Sequence, residues 1–144
     1  MALIEVAARY PVAPDVVWNE LRHLERHGQW MSDAVAMVFA TDQREGVGTS
    51  FRCTTRVGPF TTQDLMTITE WVDGATMDVQ HSGLVSGRGS FVLKPEGFGS
   101  SLSWSESLHF PWWALGPIGA YLASPVLKRL WARNLRTLGS LLTK

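Results

Sequence analysis

One cysteine, Cys53, stands among 144 residues, so no disulfide can close within the chain, and a reducing, cytoplasmic setting is expected. Net charge is missing as well. Lys and Arg number 13 against 13 Asp and Glu, which leaves no global field to attract nucleic acid. No charged segment followed by an apolar run opens the sequence, so no signal peptide is expected. Acidic residues are absent after Glu106, whereas Lys128, Arg129, Arg133, Arg136 and Lys144 follow it; the balanced total hides a basic C-terminal helix face. From Ser107 to Leu127 there is no charge of either sign, over about the length of a bilayer span. Pro111, Pro117 and Pro125 with Gly116 and Gly119 argue against a crossing, because lipid leaves broken backbone hydrogen bonds unsatisfied. A buried or interfacial element is expected there instead. The length suits one domain over residues 1–144.

What is present is mostly alternation. Ile4, Val6, Ala8 and Tyr10 share one face of a strand from Ala2 to Tyr10, which Pro11 ends. Pro14 and Asp15 open a helix that buries Val17, Trp18, Leu21 and Leu24; Gly28 stops it, and Gln29 to Met31 forms a second short turn. From Val35 the period is two. Val35, Met37 and Phe39, then Phe51, Cys53, Thr55 and Val57, then Phe60, Met66 and Ile68, then Met77, Val79 and His81 mark successive strands with inward residues. Gly58-Pro59, Asp73-Gly74 and Glu96 to Gly99 supply turns, and Gly83 to Gly89 reads as a loose glycine-rich loop. Strands over Ser90 to Pro95 and Ser101 to Phe110 complete the set, the latter with Ser101, Ser103, Ser105 and Ser107 on its wet face. A long helix ends the chain: Leu127, Leu130, Trp131, Leu135, Leu138, Leu141 and Leu142 recur at three and four residue steps. Ser124 and Pro125 predict a bend or restart in it, with Ser124 as the cap of the second segment.

This order, one strand, two short helices, about six antiparallel strands and a long helix, predicts an α+β fold in which a curved antiparallel sheet wraps around the C-terminal helix. Several motifs in sequence resemble the polyketide cyclase/dehydrase group of the START and Bet v 1-like (SRPBCC) superfamily: Ala13-Pro14-Asp15-Val16-Val17-Trp18, Trp30 closing the helix pair, Ile68-Thr69-Glu70, Phe91-Val92-Leu93-Lys94-Pro95, and Trp104-Ser105-Glu106 before a proline loop. The resemblance covers nearly the whole chain. It implies a helix-grip fold with an internal cavity for a hydrophobic small molecule, polyketide-, lipid- or acyl-like, opening near Pro111 to Trp113.

Inward positions nominate the lining, Phe51, Met66, Met77, Val79, Phe91, Trp104, Leu108, Tyr121, Leu127 and Trp131, joined by Trp30, which the short turn drops into the interior, and by Trp113 of the proline loop. An ordinary filled core has the same pattern. Glu106 and His81 share that parity, and burial of an ionisable group is expensive unless it is paired or used, so they are the candidate catalytic pair. In an aldol-type cyclisation or dehydration Glu106 would serve as base and His81 as proton donor, with Arg52 and Arg88 as carbonyl anchors. Asp64 and Glu70 have inward parity too, unless a bulge turns them out. His23 and His27 lack a third ligand and Gly83 to Gly89 lies between strands, so neither metal nor cofactor is expected. Trp112 and Trp113 beside the basic helix suit a lid, a transient contact with an anionic membrane, or, with Phe98, a homodimer or partner patch. Ligand carrier, enzyme and interaction module therefore remain three distinct expectations.

Overall fold

The computed structural model describes residues 2–144, apart from the side chains of Ala2 and Trp113. Its strands are β1 (Ala2–Tyr10), β2 (Ala34–Phe39), β3 (Ser50–Val57), β4 (Phe60–Val72), β5 (Thr76–Ser82), β6 (Ser86–Glu96) and β7 (Gly99–His109). Two α-helices, α1 (Pro14–Leu21) and α2 (Gly116–Leu142), are joined to them by 3-10 turns at Leu24–Gln29 and Trp112–Ala114. The strands form a 7-stranded sheet in the order β1-β7-β6-β5-β4-β3-β2, every neighbour antiparallel. Only the β1 to β2 connection leaves the hairpin pattern, and α1 lies in that crossover. The curved sheet and the long terminal helix make the expected helix-grip arrangement.

Alternation decides which face is covered. Along β7, Leu102, Trp104, Glu106 and Leu108 are buried while Ser101, Ser103, Ser105 and Ser107 face the other way. Ile4, Val6 and Tyr10 of β1 and Phe91 and Leu93 of β6 extend the same face. Onto it pack Val17, Trp18 and Leu21 of α1 and Trp131, Leu135 and Leu138 of α2. Burying each such side chain is worth about 1.5–3 kcal/mol. At the centre Trp104 stacks on Trp131 with centroids 5.0 Å apart and planes at 25°. Phe91 and Trp30 continue the cluster, 5.2 and 6.0 Å from Trp104.

Polar groups fix where α2 lies. The Tyr10 hydroxyl donates to the Leu135 carbonyl at 2.7 Å, and Gly139 leaves only enough room for the same ring, since a Cβ there would sit 3.0 Å from it. Burial pushes the Tyr10 phenol well above its ordinary pKa. Asp33 accepts from Asn134 Nδ2 at 2.7 Å and from Trp131 Nε1 at 3.2 Å, while Asn134 Oδ1 accepts from Ser32. The C-terminal half of the helix is thereby tied to both β1 and the turn before β2.

Several expectations need correction. The predicted restart at Pro125 is absent: α2 runs unbroken from Gly116 to Leu142 with Pro125 inside it, and Ser124 Oγ donates to the Ala120 carbonyl rather than capping a new segment. Continuity locks the phase of the whole helix to Trp131, Leu135 and Leu138, so Tyr121, expected inward, falls about a quarter-turn off that face and is 76% exposed. The stretch Gly83 to Gly89 is not all loop, for Gly87 and Gly89 belong to β6. Gly28 lies within the 3-10 turn instead of ending a helix. Val35 is the extra residue of a bulge between Ala34 and Ala36 and points outward. A second bulge between Ile68 and Glu70 turns Glu70 out, leaving Asp64 buried. Phe60 has inward parity, but the β3 to β4 hairpin tip extends past any covering element and leaves it exposed. Among the described residues no helix is long and apolar enough to cross a membrane.

Candidate functional site

A polar row interrupts the apolar concave face. Asp64 on β4, His81 on β5 and Glu106 on β7 all lie on it, because their register partners carry inward parity: His81 opposes Met66, and Glu106 opposes Ile4. His81 and Glu106 are separated by β6, yet His81 Nε2 and Glu106 Oε2 are 2.8 Å apart. Glycine makes that reach feasible. Gly87 opposes His81 and Gly89 opposes Glu106, so β6 puts no side chain between them. A Cβ on Gly89 would lie 2.6 Å from Glu106 Oε1 and 2.8 Å from Oε2, inside van der Waals contact. The carboxylate occupies the space that any other residue would fill.

The remaining Glu106 oxygen, Oε1, accepts from Trp104 Nε1 at 3.1 Å, and Trp104 is held in turn against Trp131. Both members of the pair are withdrawn from water, with side chains 13% exposed for His81 and 7% for Glu106. Burial alone works against the His81 cation, but the Glu106 hydrogen bond and charge, helped by the Asp64 charge, outweigh it and raise the imidazole above its ordinary pKa. Asp64 is shifted up by desolvation, offset partly by His81, the Thr62 hydroxyl and the Leu84 backbone N–H. Its Oδ1 has no hydrogen-bond partner among the described residues and packs against Gly83. The Trp30 indole N–H is likewise buried without an acceptor.

Helix α2 packs along β1 and β7, the Glu106 end of this row, with a graded surface. Its inward residues beside the aromatic cluster are large: Trp131, Leu135 and Leu138. Towards the N-terminus they shrink to Leu127, Ala123, Ala120 and Gly116, of which Ala120 and Gly116 are fully covered. Glu106 lies two strand residues beyond Trp104, about 6.6 Å or some four helical residues along. That sets the dyad opposite the part of α2 preceding Trp131, where the helix offers small side chains.

The expected lining divides accordingly. Trp30, Phe51, Met66, Met77, Phe91, Trp104, Leu108 and Trp131 are buried, and Val79 and Leu127 are half-buried against the same core. Tyr121 is excluded by its exposure, and Trp113 falls outside the described side chains. Arg52 and Arg88 point to the solvent face, away from His81 and Glu106. Phe98 and Trp112 flank opposite ends of the 11-residue β7, so they do not form one patch. Two open surface grooves, of about 410 and 540 Å³, are lined by Arg22 to Glu45 residues and by Arg9 to Ser100 residues respectively, and neither reaches the dyad. The glycines of β6 are what parity reasoning passed over. Their spacing opposite an inward Glu was the available signal, hidden until the β6 to β7 register was known.

Comparison with protein-family models finds no match, and no curated protein matches the chain. Solved structures do. The Thermus thermophilus protein TTHA0849 superposes with a TM-score of 0.78 at 17% identity, over 99% of this chain and 97% of that one. The Zhui aromatase/cyclase from a Streptomyces species gives 0.77 at 12% identity, over 99% and 93%. Ara h 8.0201 gives 0.71 at 15%, over 99% and 97%. The chain thus has the Bet v 1-like helix-grip fold, the fold also of aromatase/cyclases, as the sequence motifs implied. At these identities the likeness is one of fold, and function has to be argued from the site.

Proposed function

We propose that the protein binds a hydrophobic small molecule bearing a carbonyl or hydroxyl group, between the concave face of the sheet and the N-terminal half of α2. The carrying observation is the His81–Glu106 pair, buried in an apolar wall, given room by Gly89 and facing the small-residue part of the helix. A buried ionisable pair costs desolvation energy that packing alone does not require, and an oriented imidazole supplies a single polar anchor in an otherwise apolar surface. The apolar lining supports a polyketide-, lipid- or acyl-like molecule. Native mass spectrometry of freshly purified protein is expected to show a copurified lipid-like mass, with Tm rising on addition of an aromatic polyketide mimic. His81→Phe should weaken that ligand about tenfold, the worth of one good hydrogen bond. Equal affinity in the variant would remove the dyad from the site.

A second reading, cyclisation or dehydration of a polyketone, is favoured by one further feature. Glu106 already accepts two hydrogen bonds, from His81 and Trp104, whereas the other His81 ring nitrogen has no partner among the described residues. In this reading Glu106 orients the ring and His81 exchanges the proton, removing it from the carbon between two carbonyls and returning it to the new alkoxide. Turnover lost in Glu106→Gln with ligand affinity kept would establish it; no acceleration by the parent protein over either variant would end it.

A further inference from the structure

The outer face of α2 is divided along its length rather than around its circumference. Leu115, immediately before the helix, and Ile118, Leu122 and Val126 are 60%, 64%, 61% and 58% exposed. Trp112, one turn earlier, is 86% exposed. Arg129, Arg133 and Arg136 are exposed as well. At 100° per residue Ile118, Leu122, Val126, Arg129, Arg133 and Arg136 fall within one sector of about 80°. Along the helix the stripe therefore starts apolar for roughly 12 Å and ends cationic. No carboxylate pairs with the three arginines among the described residues, and the chain has no acid after Glu106.

We infer that this stripe docks on an anionic lipid surface, with the Trp112 to Val126 end inserted at the headgroup boundary and Arg129, Arg133 and Arg136 on the lipid phosphates. A helix lying flat in an interface separates its apolar and charged residues around the axis. Separation along the axis calls for an inclined helix, N-terminal end down. Charge decides between a bilayer and a second copy of the chain. Two copies paired through the apolar half would set uncharged side chains of the stripe against one another, and the stretch Ser107–Leu127 offers the arginines no carboxylate. A bilayer of anionic lipid meets both halves at once, and each arginine near its surface is worth roughly fivefold in affinity. The docking holds whatever the interior binds, and it would place the N-terminal half of α2, the part opposite the dyad, against the lipid.

The test is cosedimentation with phosphatidylcholine vesicles, with and without about one third phosphatidylglycerol, at low and high salt. Binding is expected to the anionic vesicles, to weaken as salt rises, and to fall roughly 100-fold in the triple variant Arg129→Glu, Arg133→Glu, Arg136→Glu. Leu122→Asp, at an exposed position, should release the protein from vesicles with its circular dichroism and Tm unchanged. Binding equal for neutral and anionic vesicles, or unaffected by the arginine variant, overturns the proposal. So does a dimer in sedimentation equilibrium that Leu122→Asp dissociates while the parent ignores vesicles; the stripe then belongs to a second copy.

Discussion

Glu106 owes its place to a residue that has no side chain. A methyl at position 89 would meet its carboxylate at 2.6 Å, and the obstacle is a charged group already committed to His81 and Trp104. Gly89→Ala is expected to push Glu106 aside, break the pair and let desolvation dominate His81, so that its pKa drops below the parent value; histidine NMR titration reads this directly. Glu106→Gln should lower the same pKa with less structural disturbance. The sign for stability follows from linkage. A folded-state pKa raised above the ordinary 6.5 means that the pair's contribution is full below about pH 6.5 and is lost as pH climbs through the folded value. Parent and Glu106→Gln should thus differ most in Tm at mildly acidic pH and converge in mild alkali. Divergence that grows with pH would contradict the assignment of His81 as the titrating partner.

Pro125 and Asp33 show what holds α2 as one element. Proline inside a helix removes one backbone hydrogen bond and strains the preceding turn, yet the helix passes through it because its C-terminal half is anchored at Tyr10, Asp33 and Trp131. Pro125→Ala restores the missing donor at an exposed position and is expected to stabilise the protein by about 1–3 kcal/mol in chemical denaturation. Asp33→Ala works in the opposite direction. It strands the Trp131 and Asn134 donors in the core and should cost about 2–4 kcal/mol, the penalty for leaving buried polar groups unpaired. A loss below roughly 0.5 kcal/mol would mean that water replaces the carboxylate at no cost.

Over the whole molecule the helix covers only part of its sheet. α2 runs along β1 and touches β7, whereas β3 meets no helix closely and β4 meets α1 at Trp71, whose ring lies 5.3 Å from that of Trp18; Phe60 at the tip of the β3–β4 hairpin is 74% exposed. Local openings are cheapest where few apolar contacts must be broken. Hydrogen exchange is expected to be fastest in the hairpin around Val57 to Phe60 and slowest from Leu102 to Leu108, between two strands and beneath the helix. Uniform protection across both regions would indicate that the sheet opens only as a unit.

Much of this organisation can be read without coordinates, since period-two alternation names inward residues strand by strand and a 3.6-residue period does the same for the terminal helix. Ile4, Trp104, Glu106 and Leu138 are legible that way, element order predicts a curved antiparallel sheet around the terminal helix, and the resemblance to the START and Bet v 1-like superfamily implies the helix-grip fold. Parity nevertheless says only which side a residue faces. It does not reveal that β6 lies between His81 and Glu106, because register is set by pairing between segments far apart in sequence. Nor does it show where covering ends, which is why Phe60 and Tyr121 stand in solvent: the first has no element above it, and the second obeys a helix phase set by anchors ten or more residues away. The local pattern of the chain determined the elements and their faces; only tertiary packing, through the pairing of β5, β6 and β7, decided that Gly89, His81, Trp104 and Glu106 meet at one point.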